Sequence, residues 1–202
     1  MLGIPDYWAF VAAVLVFLAL PGPGTFALLT ATAKGGFRAG AAATFGLIAG
    51  DQVLMWLAAI GVAAVLQANE ALFKGLQYAG AAYLVWIGLK LLFAKAGAVT
   101  PISLKPGHFA RQAFFITLMN PKAIVFYMAF FPLFIDAAHH RGFLTFATMA
   151  ATIAVVTLVY CLTLCAFASA ISERVRAHRR LSLLLQRAAG VALIGFGLKL
   201  AR

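Results

Sequence analysis

Two apolar stretches of the chain contain helix-breaking residues: PGPGT begins at Pro21, and NPK begins at Asn120. Proline lacks a backbone N–H and clashes with the preceding helical turn, so each stretch predicts a helix broken at Pro21 or Pro121. Thr25 could cap the helix that restarts after the first break, and Asn120 before Pro121 is the preferred pairing of N-cap and first helical residue. The free amides at the start of a restarted helix suit a carboxylate, so we expect a substrate-binding site there. Its residues would be Pro21, Gly22, Pro23, Gly24, Thr25, Asn120, Pro121 and Lys122.

Asp51 is the only charged residue of the apolar run GLIAGDQVLMWLAAIG. A carboxylate in such surroundings is costly unless it is paired or protonated, which makes it a functional candidate. Two roles fit: a proton acceptor that couples the protein to a proton gradient, or a counter-charge for a substrate ammonium group. An ion pair with Lys122 that has only a structural role is the alternative. Gln52, Thr157 and Tyr160 are further polar residues that could line the same cavity.

The elements that hold these residues must be membrane helices. Hydrophobic residues make up 64% of the 202 residues and charged residues 10%, with a mean hydropathy of +1.00, which is far from the average soluble domain. The net charge of +11 comes from Lys and Arg in short gaps between apolar runs. That pattern is typical of residues that set membrane orientation, so we expect contact with lipid and no nucleic-acid partner.

Six apolar runs are long enough to cross a bilayer, which takes about 20 residues per helix. They cover roughly 7–33, 39–66, 71–94, 112–135, 142–172 and 181–200. Arg187 interrupts the last run, which leaves a five-span alternative open. Placing both termini outside puts most of the 16 Lys and Arg residues at the cytoplasmic face, which favours that orientation.

The two halves of the chain resemble each other. AGAAYLVWIGLKL at 79–91 matches AGVALIGFGLKL at 189–200, and Pro121 corresponds to Pro21. Three spans per half must enter the membrane in opposite directions, so we predict an all-α integral membrane protein of six helices in two inverted three-helix repeats. The single domain would cover 1–202, with repeats at about 1–97 and 98–202. Chance similarity between apolar helices is the alternative.

Several sequence patterns indicate helix packing or argue against a metal site and an enzymatic activity. Gly46 and Gly50 form a small-xxx-small pattern, which we interpret as helix packing and which also permits a homodimer. Cys161 and Cys165 are interpreted as small buried residues. Because the sequence has no metal-ligand cluster and no nucleophile–base motif, we expect no metal, no cofactor and no enzymatic activity.

Three stretches carry a family resemblance: LALPGPGTFALLTATAKGGFRAGAAATFGLIAGD, LQYAGAAYLVWIGLKLL and FITLMNPKAIVFYMAFFPLFI. They occur in order and resemble the LysE/RhtB family of amino-acid exporters over essentially the whole chain. The resemblance implies an exporter of amino acids or close derivatives in the bacterial inner membrane, driven by the proton gradient, with both termini in the periplasm. It carries over to Pro21, Gly22, Pro23, Thr25, Asn120, Pro121 and Lys122, and Asp51 matches an acidic position of the second span.

The chain departs from the family pattern at two places. Gly24 stands where relatives of this branch commonly have Asn or Asp, and Pro132 with Leu133 stands where they commonly have Gln. The basic-amino-acid branch also has an acid in the fourth span, where this chain reads AIVFYMAFF. These differences favour a neutral or apolar amino acid as substrate. An exporter of cations or other small solutes on the same scaffold is the alternative, although the spans offer a single carboxylate.

Overall fold

The computed structural model describes residues 4–20, 22–68, 104–135 and 142–177, with isolated positions between residues 71 and 93 and between residues 187 and 194. The regular secondary structure within these ranges is helical. The elements are α1 (Tyr7–Ala19), α2 (Pro23–Ala68), α3 (Phe109–Leu118), α4 (Pro121–Phe130), a 3-10 helix (Phe131–Phe134) and α5 (Phe143–Ala177). Most of the predicted third and sixth spans, and with them the comparison of the two repeats, lies outside the described residues.

Two stretches of the described helices are long and apolar enough to cross a membrane, Pro23–Gly61 and Phe143–Ala168. The helix Tyr7–Ala19 is also apolar but shorter. These helices coincide with the predicted first, second and fifth spans, and α3 and α4 together cover the predicted fourth span. The membrane-helix interpretation of the sequence therefore agrees with the helices that the structure describes.

Both predicted helix breaks are present. The first helix ends at Ala19, Leu20 has extended backbone angles (φ −68°, ψ 119°), and α2 begins at Pro23. In the second break α3 ends at Leu118 and α4 begins at Pro121. Proline suits the first helical position because its missing N–H would have no intrahelical acceptor there. The expected cap at Thr25 is wrong, because the helix begins two residues earlier, at Pro23.

A bend divides α2 into two arms. Gly36 has φ 67° and ψ −165°, which only glycine adopts readily, and Gly35 is also non-helical (φ −137°, ψ 19°). We refer to residues 23–34 as the first arm and to residues 37–68 as the second arm. The first arm corresponds to the second part of the predicted first span, and the second arm, which contains Asp51, corresponds to the predicted second span.

The second arm of α2 runs in the same direction as α3 and touches it closely. A Cβ at Gly46 would overlap the carbonyl of Ala110, and one at Gly50 would lie 2.7 Å from Thr117 Cβ. The small-xxx-small pattern therefore packs two helices within one chain, as the packing interpretation predicts. Because α3 covers these glycines, they do not offer a face for a homodimer.

Helices α1 and α4 run in opposite directions against each other. Phe17 near the end of α1 stacks on Phe126 of α4, with ring centroids 3.8 Å apart. Phe10, nearer the start of α1, contacts Phe134 of the 3-10 helix edge-on, with centroids 5.4 Å apart. This antiparallel pairing places the end of α1 beside the start of α4, so the two helix breaks meet.

Candidate functional site

Lys122 joins the two broken helices. It lies in the first turn of α4, and its Nζ donates hydrogen bonds to the carbonyl oxygens of Phe17 (2.9 Å) and Leu20 (2.6 Å) at the end of α1. In an unbroken helix the Phe17 carbonyl would accept from the N–H of residue 21, but Pro21 has none. The Lys122 ammonium therefore supplies a donor that the proline removes.

Gly22 allows this close approach. A Cβ at this position would lie 3.3 Å from Lys122 Cδ and 3.5 Å from Lys122 Nζ. The ammonium also lies 4.5 Å from the centroid of the Phe17 ring, within the range of a cation–π interaction. The glycine of the first break and the lysine of the second thus form one contact.

The starts of the two restarted helices provide free amides. In α2 the first intrahelical bond runs from Phe26 N to Gly22 O (3.0 Å), so helix geometry leaves the N–H groups of Gly24 and Thr25 without an intrahelical acceptor. In α4 the Asn120 side chain caps the helix by accepting from Lys122 N at 3.1 Å. The N-cap predicted for Asn120 is therefore present, and both helix starts can offer N–H groups to an anion.

Asp51 is buried in the second arm, with 6% of its surface exposed. The hydroxyl of Tyr127 in α4 donates a hydrogen bond to its carboxylate. The Lys122 ammonium is close enough to attract the same carboxylate electrostatically. The acid in the second arm of α2 thus interacts with two residues of α4.

Asp51, Lys122 and the starts of α2 and α4 face one cavity of about 50 Å³, which is room for a few water molecules. Its lining includes residues of the two helix starts, Asp51 and hydroxyl-bearing residues, together with apolar side chains. The lining residues are Phe17, Leu18, Gly22, Gly24, Thr25, Leu28, Leu47, Asp51, Thr117, Asn120, Lys122, Ala123, Thr157, Tyr160, Cys161 and Leu164.

The structure brings together most of the residues that the sequence singles out. The ones that line the cavity are Gly22, Gly24, Thr25, Asp51, Asn120, Lys122, Thr157 and Tyr160. Pro23 and Pro121 begin α2 and α4 and shape the site through the backbone. Pro21 lies outside the described residues. Gln52 does not line the cavity among the described residues; its side-chain amide instead donates a hydrogen bond to the Ala150 carbonyl of α5 (3.1 Å).

Sequence reasoning missed two residues of the site. Tyr127, which bonds to Asp51, is the one hydroxyl in the stretch AIVFYMAFF and could have been singled out as a polar group in an apolar helix. Cys161 was interpreted as a packing residue, yet it lines the cavity near Asp51. Among the described residues no group of three or more His, Cys, Asp or Glu could hold a metal ion.

The sequence of the chain matches a known protein family. The family model for LysE type translocators matches residues 15–202. The chain belongs to this family. As a LysE type translocator it is an integral membrane transporter and not an enzyme.

Similar full-length proteins support this assignment. The translocator is 35% identical to an uncharacterized membrane protein of Pseudomonas aeruginosa, over 99% of this chain and 96% of that protein. It is 32% identical to a leucine efflux protein of Salmonella typhimurium, over 98% of this chain and 96% of the relative. A leucine efflux protein of Enterobacter is 31% identical with the same coverage. No solved structure matches the chain.

Proposed function

We propose that this LysE type translocator exports neutral, apolar amino acids or close derivatives, with leucine as the representative substrate. Export would occur by proton-coupled alternating access. The observation that carries the proposal is the composition of one cavity: two helix starts and a lysine for a carboxylate, a buried aspartate for an ammonium group, and apolar walls. The similarity to two leucine efflux proteins supports the substrate class.

The substrate carboxylate would bind where the helix breaks meet. The amides of Gly24 and Thr25 lie at the positive end of the α2 dipole, and residues at the start of α4 line the same cavity. The Lys122 ammonium has three N–H donors, of which two bond to the carbonyls of Phe17 and Leu20. No third hydrogen bond from Nζ is recorded among the described residues, so this N–H could bind a substrate oxygen. A carboxylate there would be paired without displacing the contact between the two broken helices.

The substrate ammonium would bind to Asp51. Burial strengthens an ionic hydrogen bond in this position, because little water competes for the charges. The side chain of the substrate would then lie against the apolar wall, to which Leu28, Leu47 and Leu164 contribute. A second charge on the substrate would have no described carboxylate partner besides Asp51 in the cavity, which supports a neutral amino acid over a basic one.

Transport requires the cavity to change. At about 50 Å³ it is too small for an amino acid, so the helices must separate on one side to admit the substrate. A proton that reaches Asp51 from the outer side would neutralise the carboxylate, weaken its hold on the substrate ammonium and favour release. The translocator would lie in the bacterial cytoplasmic membrane with both termini in the periplasm, as the basic loops indicate.

The test is export from cells with and without the protein, fed Leu-containing, Ala-containing or Lys-containing dipeptides to raise the internal pools. We expect leucine to accumulate in the medium faster when the protein is present, with alanine affected less and lysine unaffected. Equal accumulation of every amino acid in both strains would contradict the proposal. An uncoupler that collapses the proton gradient should remove the difference in leucine accumulation between the two strains. If that difference persists, the proton coupling is contradicted but the export of leucine is not.

A further inference from the structure

Several helical threonines of this protein satisfy their hydroxyls in the same way. The hydroxyl donates to the carbonyl oxygen four residues earlier, at distances of 2.7 to 3.0 Å. The residues that do so are Thr32, Thr44, Thr148, Thr152 and Thr163. Thr157, in the same helix as the last three, differs from them. Its Oγ1 is buried and has no hydrogen-bond partner in the described part of the protein.

An unpaired buried hydroxyl is unfavourable. Thr157 is only 2% exposed, and none of the described residues pairs with its hydroxyl. Valine has nearly the same shape and would remove the unpaired polar group, so packing alone would favour valine here. The hydroxyl is therefore better explained by a partner that enters the cavity, which Thr157 lines.

The position of Thr157 indicates which part of a ligand it would meet. It precedes Cys161 by one helical turn, so both side chains lie on the same face of α5 and both line the cavity. The Cys161 thiol lies near the Asp51 carboxylate. The face that carries Thr157 is thus the one turned toward Asp51, where the substrate ammonium would bind.

An ammonium group taken out of water needs an acceptor for each of its three N–H bonds. The Asp51 carboxylate already accepts one hydrogen bond from Tyr127. A hydroxyl oxygen close to it would add an acceptor at no cost in charge.

We propose that Thr157 is a substrate-binding residue whose hydroxyl oxygen accepts a hydrogen bond from the primary ammonium group of the exported amino acid, beside Asp51. This inference rests on the proposed function. It makes the α-ammonium a specificity determinant, so N-methylated amino acids, which have one N–H fewer, are transported less well than their parents. Substrate recognition is then shared between α5 and the two broken helices.

The experiment uses purified protein in liposomes and measures uptake kinetics of labelled leucine and N-methylleucine. Thr157→Val should raise the KM for leucine about tenfold, because it removes a hydrogen bond to a charged group, while the KM for N-methylleucine changes little. Thr157→Ser should keep the wild-type preference. Thr163→Val is the matched control, since Thr163 lies in the same helix with an exposed side chain and a bonded hydroxyl; its kinetics should equal those of the wild type.

Protein stability separates a binding role from a structural one. The unfolding temperature of Thr157→Val in detergent should equal or exceed that of the wild type, because the substitution removes an unpaired hydroxyl. An unchanged KM for leucine, or an equal loss for both substrates, would overturn the inference. If Thr157→Val does not accumulate, Thr157→Ala carries the same comparison. A wild-type protein that transports neither substrate would instead contradict the proposed function.

Discussion

Replacing Lys122 by methionine tests how the two broken helices are held together. Methionine has a similar length and keeps the apolar part of the side chain but cannot donate a hydrogen bond. The variant loses the bonds to the carbonyls of Phe17 (2.9 Å) and Leu20 (2.6 Å) and leaves Asp51 without its positive neighbour. The Phe17 carbonyl has no other helical donor available, because residue 21 is proline.

The expected loss is large for one side chain. A hydrogen bond from a charged donor contributes about 1.5 to 3 kcal/mol, so two such bonds at the lower value give a loss of about 3 kcal/mol in the free energy of unfolding. For a protein of this size each kcal/mol corresponds to about 2 to 4 °C in the unfolding temperature. We therefore expect Lys122→Met to unfold about 6 to 12 °C below the wild type.

The assay heats the detergent-solubilised protein to a series of temperatures and measures by size-exclusion chromatography how much monodisperse protein remains, which gives the unfolding temperature. Lys34→Met is the matched control, because Lys34 donates a single bond to the Leu104 carbonyl (2.8 Å) from an exposed position, and we expect a shift under about 3 °C. Adding Asp51→Asn to Lys122→Met should recover part of the loss, since no unpaired charge then stays buried. If Lys122→Met unfolds within 2 °C of the wild type, which corresponds to about 1 kcal/mol, the Lys122 hydrogen bonds do not hold the two broken helices together as we argue.

Three further predictions concern coupling, packing and capping. Asp51→Asn should keep the fold and the exchange of internal for external leucine but lose export driven by a proton gradient in liposomes; a gradient-driven flux equal to that of the wild type would remove Asp51 from the coupling step. Gly46→Ala should lower stability by about 1 to 3 kcal/mol because its Cβ would overlap the Ala110 carbonyl, whereas Gly61→Ala, where a Cβ meets none of the described atoms within 4 Å, should change little in the same heating assay. Asn120→Ala should lose about 1 kcal/mol from the missing cap of α4, and Asn120→Asp, which retains an acceptor oxygen, should lose less.

Local sequence patterns predicted several features of the site correctly. Pro121 occupies the first helical position and Asn120 caps α4, because these preferences depend on backbone chemistry within a few residues. The pattern of Gly46 and Gly50 was correctly interpreted as packing for the same kind of reason, since a small residue permits close approach whatever the partner helix is.

Gln52 and Tyr127 were misjudged because their contacts are distant in sequence, whereas the assignment of Thr25 failed for a local reason. Gln52 follows Asp51 directly, but successive helical residues point about 100° apart, so it meets Ala150 of α5 instead of the cavity. Thr25 was expected to cap a helix that in fact starts at Pro23. The contact between Tyr127 and Asp51 joins positions in different halves of the chain, and no local pattern could pair them.

The sequence by itself determined that this protein lies in a membrane, that two of its helices are interrupted, and that one carboxylate is placed in an apolar span. Composition, proline chemistry and the cost of a buried charge act locally, so they can be read without a fold. Only the tertiary structure decided that the two interruptions meet, that Lys122 supplies donors to the carbonyls at the end of α1, and that Thr157 presents an unpaired hydroxyl to the same cavity as Asp51. Those relations follow from the antiparallel packing of α1 and α4 and from the face that α5 turns toward them, which are set by the packing of whole helices and not by any single stretch of residues.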